Sequence, residues 1–175
     1  MLLIFDWDGT LADSREHIVA AMQAAITSLQ LPVQTDDRCA QMIGLGLTET
    51  ALKLFPHFYN NGFDEQEGIN QGGLEQFSKS YSSHFTDLKQ LYGPTQFFPG
   101  AIDTLEQLKA QGHLLAVATG KSRRGLDRTL AADNLVDLFV ATRAADETAS
   151  KPNPMMLQAL LHETQMSAEQ AVMIG

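Results

Sequence analysis

Four short apolar runs, separated by stretches with helical spacing, constrain this chain more than any other feature. Leu2–Phe5 reads as a buried strand, Leu114–Ala118 as a second, Val136–Val140 as a third and Ala171–Ile174 as a fourth. Between them, Ile102, Leu105 and Leu108 share one helical face, and Gly112 is placed to end that helix. Leu126 and Leu130 repeat the spacing. Asn153 and Pro154 suit an N-cap and a first-turn proline, with Leu157, Leu160 and Leu161 facing inward. Strands alternating with helices imply a parallel sheet covered on both faces.

Residues 14–93 break this rhythm. They contain no convincing strand. Asp13 and Glu16 resemble a capping box, and Ile18, Met22, Ile26 and Leu29 form a helical stripe. Leu47–Phe58 and Leu74–Leu91 also suit helices, and Gly62, Gly68, Gly72 and Gly73 read as breaks. The stretch is a helical insertion after the first strand. It is joined to the rest near Ala12–Ser14 and near Gly93–Gln96.

Composition narrows the partners. A net charge of -9 and a pI near 4.8 argue against a nucleic-acid or membrane-surface partner, since both require clustered Lys and Arg. The single Cys39 excludes an internal disulfide and a multi-cysteine metal cluster, and suggests a reduced, cytoplasmic setting. Met1–Phe5 is too short for a signal peptide, and no run approaches the roughly 18 apolar residues that span a membrane.

Ligands of open parallel sheets bind beyond the carboxyl ends of the strands. Asp6-Trp7-Asp8-Gly9-Thr10 follows the first strand, Thr119-Gly120-Lys121-Ser122 the second, and Ser150-Lys151-Pro152 the third. Two carboxylates, a hydroxyl and an ammonium thus converge on one edge, a set that suits phosphoryl transfer. One carboxylate can attack phosphorus and become an acyl-phosphate. A second, two residues on, can protonate the leaving oxygen and then activate water. The hydroxyl, backbone N–H groups and a lysine can hold the phosphoryl oxygens, and magnesium can offset carboxylate–phosphate repulsion.

Phe5-Asp6-Trp7-Asp8-Gly9-Thr10-Leu11 resembles the first motif of the haloacid dehalogenase-like superfamily. Ala118-Thr119-Gly120 is similar to its second motif and Lys151-Pro152 to its third. Phe98-Pro99-Gly100-Ala101 resembles the return to the core in the phosphoglycolate phosphatase-like branch. The resemblance implies an α/β fold with a Rossmann-like parallel sheet core, formed by residues 1–13 and 94–175. A small helical cap, residues 14–93, is inserted after the first strand. It implies Asp6 as nucleophile, Asp8 as general acid/base, and Thr119, the Gly120 N–H and Lys151 as phosphate ligands. Mg2+ would bind the Asp6 side chain and the Asp8 backbone carbonyl. In the family, the segment matching Val172–Gly175 is followed by acidic residues that complete the magnesium site, so the chain reads as C-terminally truncated.

The expected activity is hydrolysis of a small phosphorylated metabolite through an aspartyl-phosphate. A phosphomutase of the same superfamily is the nearest rival; mutase-like relatives place a histidine early in the cap, and His17 falls one residue early. A catalytically inactive binding module is the other alternative. A nucleotide-binding P-loop would need glycine where Leu115 stands, and a calcium-binding EF-hand loop would need it at Leu11. Acidic residues outnumber basic ones in the insertion, which disfavours a polyanionic substrate. Gly44-Leu45-Gly46 is either a loop that touches substrate or a helix–helix turn.

Overall fold

The computed structural model describes residues 1–56 and 71–175. In chain order its elements are β1 (Leu2–Phe5), β2 (Ala12–Asp13), α1 (Arg15–Ser28), α2 (Asp36–Ala40), α3 (Leu47–Leu54), α4 (Gln71–Tyr92), β3 (Gln96–Phe97), α5 (Ala101–Ala110), β4 (Leu114–Ala118), α6 (Arg123–Ala132), β5 (Ala141–Arg143), α7 (Met155–Thr164) and β6 (Ala171–Ile174). The chain forms two compact units. One comprises Met1–Asp13, Gly44–Gly46 and Gln96–Gly175; the other comprises Ser14–Ile43 and Leu47–Thr95.

The first unit is an α/β sandwich around a parallel sheet in the order β5-β4-β1-β6. Leu2 is registered with Leu114 on one side and Ala171 on the other. Strand side chains alternate between faces, and here each face has its own core. Leu3, Phe5, Leu115 and Val117 join Leu105 of α5 and Leu126 and Leu130 of α6. Leu2, Ile4, Ala116 and Ala118 join Met156 and Leu160 of α7. The α5 helix ends where its sequence demands. Gly112, at φ 84°, takes the left-handed position; its N–H donates to Lys109 O, and the His113 N–H donates to Leu108 O.

The third strand is displaced from Val136–Val140. Val136–Leu138 is a 3₁₀ turn, and the strand is Ala141–Arg143, paired with Ala116–Ala118. Leu135 and Phe139 are buried four residues apart, the spacing of a helical turn, while Val136 and Val140 are exposed. The true strand lies at the sheet edge and carries a threonine and an arginine, so it shows no apolar run. Helix α7 begins one residue later than expected: Pro154 is at the N-cap, and the Asn153 Oδ1 accepts from the Met155 N–H at 3.0 Å. Ala12–Asp13 and Gln96–Phe97 pair antiparallel, and the Phe98 N–H donates to Leu11 O.

The second unit is helical among its described residues. Ile18, Met22 and Ile26 bury the expected stripe of α1, which packs against α4. The Asp13–Glu16 capping box does not form. Asp13 is committed to β2, so the N-cap falls on Ser14, whose side chain makes no capping bond. Helix α3 ends at Leu54; Phe58, Gly62 and Gly68 lie outside the described residues. Gly72 and Gly73 do not break the chain but sit in the first turn of α4. His17 packs edge-on against Phe85. Burial, with Asp36 nearby, pushes the Cys39 thiol above its ordinary pKa, which leaves it an unreactive core residue. No helix among the described residues is long and apolar enough to cross a membrane.

A polar clamp ties α6 to the end of β5. Arg123 bonds Thr142 through Oγ1 and the carbonyl, pairs with Asp127 at 2.9 Å, and pairs with Glu147 at 2.7 Å. Burial works to raise the Glu147 pKa. The Arg123 hydrogen bond, the Ala144 N–H and the charges of Arg123 and Arg143 outweigh it and hold the carboxyl below its usual range. A depressed carboxyl contributes stability that is present above its unfolded pKa, near ~4.3, and is lost as pH falls through the lower folded value. We therefore expect Glu147→Gln to cost about 0.5–1 kcal/mol at pH 7, roughly 1–4 °C in melting temperature. The gap between variant and parent should close as melts are taken below pH ~4. A gap constant from pH 7 to pH 3 would contradict the clamp.

Candidate active site

The site is built from the carboxyl end of β1. All four side chains of β1 are buried, and the Asp6 N–H still donates to Ile174 O at 2.9 Å. Asp6 is therefore held by the sheet while its side chain stands beyond it. Trp7 then turns inward. Its ring is almost wholly buried, edge-on to Phe97 at 5.8 Å and to Phe139 at 6.2 Å. Its carbonyl accepts from the N–H groups of Thr10, Leu11 and Ala12, which closes the loop. With Trp7 anchored, Asp6 and Asp8 flank a fixed point.

Asp6 Oδ1 accepts from the Trp7 N–H at 2.8 Å and from Lys151 Nζ at 2.8 Å. Its second oxygen, Oδ2, carries no hydrogen bond among the described residues. Asp8 Oδ1 lies 2.9 Å from Lys121 Nζ. These pairs are largely desolvated: the four side chains are 10–20 % exposed, so their coupling exceeds that of an open surface pair.

Strand β4 delivers the next group. Thr119 is fully buried; its N–H donates to Arg143 O, and its Oγ1 accepts from the Lys121 N–H at 3.2 Å. Gly120 faces the backbone of Gly44-Leu45-Gly46, which belongs to this unit although it interrupts the helical insertion in sequence. A Cβ at Gly120 would lie 2.5 Å from the Leu45 carbonyl oxygen and 2.7 Å from that of Gly44, so only glycine fits. The Gly46 N–H donates to the buried Ser150 Oγ at 2.8 Å. Gly44 passes beside Asp6 Oδ2, which a Cβ there would meet at 3.4 Å. The Lys151–Pro152 peptide bond next to Ser150 is cis.

The structure thus gathers Asp6, Asp8, Thr119, Gly120 and Lys151 at one end of the sheet. Two further participants escaped the sequence: Lys121, an ammonium beside Asp8, and Ser150, the acceptor for Gly46. Gly44-Leu45-Gly46, expected as a substrate loop or a helix–helix turn, is a loop that borders Asp6. The available signals were positional only: Lys121 follows Thr119 by two residues, and Ser150 precedes Lys151.

Two carboxylates and two ammonium groups leave the cluster near neutrality, so a phosphate ester dianion would arrive with its charge uncompensated. Asp6 Oδ2 offers a hard oxygen without a hydrogen bond among the described residues. That set fits a hard divalent cation such as Mg2+, which binds through one or two carboxylates while keeping waters and substrate oxygens. Among the described residues no group of three or more His, Cys, Asp or Glu forms an all-protein metal cage.

A family model for haloacid dehalogenase-like hydrolases matches residues 3–175. A phosphoglycolate phosphatase of Aliivibrio fischeri is 30% identical over 179 residues, spanning 99% of this chain and 74% of that protein. One of Vibrio parahaemolyticus is 27% identical over 175 residues, again spanning 99% and 74%. The crystal structure of a hydrolase from Pseudomonas syringae shares the fold, with a TM-score of 0.80 at 23% identity, covering 99% of this chain and 74% of that one.

The contact between Gly120 and the Gly44–Gly46 loop yields a direct test. Ser150→Ala removes one neutral hydrogen bond worth about 1 kcal/mol, so exchange of the Gly46 amide should quicken about fivefold. Gly120→Ala should quicken it further, because its Cβ cannot coexist with the Leu45 carbonyl. Amide exchange resolved at Gly46 measures both; unchanged protection in both variants would contradict the arrangement.

Proposed function

The chain belongs to the haloacid dehalogenase-like hydrolase family, and from that premise we propose that it is a magnesium-dependent phosphatase acting on a small phosphorylated metabolite. The observation that carries the reading is the asymmetry of Asp6. One oxygen is tied to the Trp7 N–H and Lys151, while the other makes no hydrogen bond among the described residues. A carboxylate oriented through one oxygen presents the second as a nucleophile.

In the first half-reaction Asp6 Oδ2 attacks phosphorus. The bond from Oδ2 to phosphorus forms as the bond from phosphorus to the ester oxygen breaks. Asp8 gives its proton to that oxygen, and the alcohol leaves. In the second half-reaction the Asp8 carboxylate takes a proton from water, the water oxygen attacks phosphorus, and phosphate departs from Asp6. Lys151, the Thr119 hydroxyl and the Gly120 N–H hold the phosphoryl oxygens as charge shifts among them. The Asp6 carboxylate and the Asp8 carbonyl, with waters, would hold Mg2+, which offsets repulsion between carboxylate and phosphate. The core-unit loop Gly44–Gly46 passes close to Asp6 Oδ2 and borders the position an ester would take. The Aliivibrio and Vibrio relatives are named for phosphoglycolate, so we take the substrate class to be phosphate monoesters of small hydroxy acids.

Asp6→Asn should abolish magnesium-dependent phosphate release from an aryl phosphate while leaving the melting temperature near that of the parent. Asp8→Asn should lose about 10²–10⁴-fold, and more with alkyl than with aryl esters, because a poor leaving group depends most on the proton. A chelator should suppress turnover and added Mg2+ restore it. Substantial turnover in Asp6→Asn would sink the mechanism.

A further inference from the structure

Lys121 has no part in the chemistry set out above, yet it is paired with the proton donor. Its Nζ lies 2.9 Å from Asp8 Oδ1, and its side chain is only 14% exposed. The backbone beneath it is fixed on both sides: its N–H donates to Thr119 Oγ1 at 3.2 Å, and its carbonyl accepts from the Ala145 N–H at 2.9 Å. A rigid base thus carries a four-carbon stem with three rotatable donors at its tip. The second ammonium, Lys151, is engaged at Asp6. The two cations therefore serve the two ends of the reaction, one the nucleophile and one the leaving group.

We propose that Lys121 is a specificity-determining residue that binds an anionic group on the leaving alcohol, a carboxylate in particular. The inference rests on the phosphatase reading and adds which residue selects the substrate. For Asp8 to protonate the ester oxygen, that oxygen must come within about 2.6–3.2 Å of it. A carboxylate attached one carbon beyond the ester oxygen then falls within a further ~3 Å, given bonds of roughly 1.5 Å. That is the neighbourhood Lys121 Nζ occupies. An ammonium with three protons can hold Asp8 and a substrate carboxylate at once, so the carboxylate needs no cation of its own. An ester with a neutral alcohol makes no such contact.

The test compares two esters of equal chain length, phosphoglycolate and ethyl phosphate, with inorganic phosphate as reference. Binding is measured in the Asp6→Asn chain with Mg2+ present, so that no substrate is consumed; the single tryptophan, Trp7, supplies the fluorescence signal from within the loop. We expect phosphoglycolate to bind about tenfold or more tighter than ethyl phosphate, the yield of one charge-assisted contact. Lys121→Met takes one of two cations from the site and weakens all three ligands, but phosphoglycolate should lose about tenfold more than ethyl phosphate, which erases the preference; Lys121→Arg should keep most of it. Where Lys121→Met melts below the assay temperature, Lys121→Gln replaces it. The proposal is overturned if the parent shows no preference, if the preference survives Lys121→Met, or if both esters weaken by the same factor. The last result would leave Lys121 as a support for Asp8 alone. Failure of the underlying reading looks different: no phosphate compound binds at all, or the Asp6→Asn chain still releases phosphate.

Discussion

A central strand buried on both faces can carry no polar side chain along its length, and β1 is such a strand. It is flanked by β4 and β6, and its four side chains alternate between two separate apolar cores. The first position free of that constraint is the first beyond the sheet, and Asp6 occupies it. Because the Asp6 N–H still bonds Ile174 O, the carboxylate inherits the rigidity of the sheet without the demand for apolarity. Every other group in the cluster is positioned relative to this point. Lys151 comes from the loop before α7, Thr119 from the end of β4, and Lys121 from the step before α6.

The loop between Asp6 and Asp8 adds a second constraint. The residue between two such carboxylates could be any residue if only its backbone mattered. Here it is a tryptophan wedged against Phe97 and Phe139. The large apolar ring converts burial, typically the strongest stabilising effect available to a side chain, into a restraint on the two aspartates beside it. Orientation at the site is thus supplied by packing, and the charged pairs need only tune it.

Much of this was legible in the sequence, for reasons that differ from part to part. β1 and β4 were readable because double-faced burial enforces unbroken apolar runs; β6 also carries such a run, although it stands at the sheet edge with Val172 and Met173 exposed. β5 was not, since an edge strand of Ala141, Thr142 and Arg143 needs no such run, and the neighbouring Val136–Val140 imitates one. Asp6, Asp8, Thr119, Gly120 and Lys151 were recognisable as candidates because each follows a strand or opens a helix. Which ammonium meets which carboxylate was not, because that depends on side-chain reach. Lys121 stood in plain view and was passed over for this reason. Gly44–Gly46 was legible as a candidate loop, but its contacts were not. Its partners Gly120 and Ser150 are far off in the chain, and no local pattern encodes a carbonyl that packs against a distant Cα.

The antiparallel pairing of Ala12–Asp13 with Gln96–Phe97 has a consequence for how such a molecule can change over time. The two ends of the inserted segment leave the sheet unit side by side, so to that unit the insertion is a loop closed at its base. The entropy of closing a loop grows only slowly with its length. A clamp of this kind lets material be added or removed on the far side without retuning the sheet. The stitch from Gly46 to Ser150 limits that freedom, since it ties one interior point of the segment back to the chemistry. Between the base and the stitch, length can change at little entropic cost; at the stitch, Gly46 must still reach Ser150.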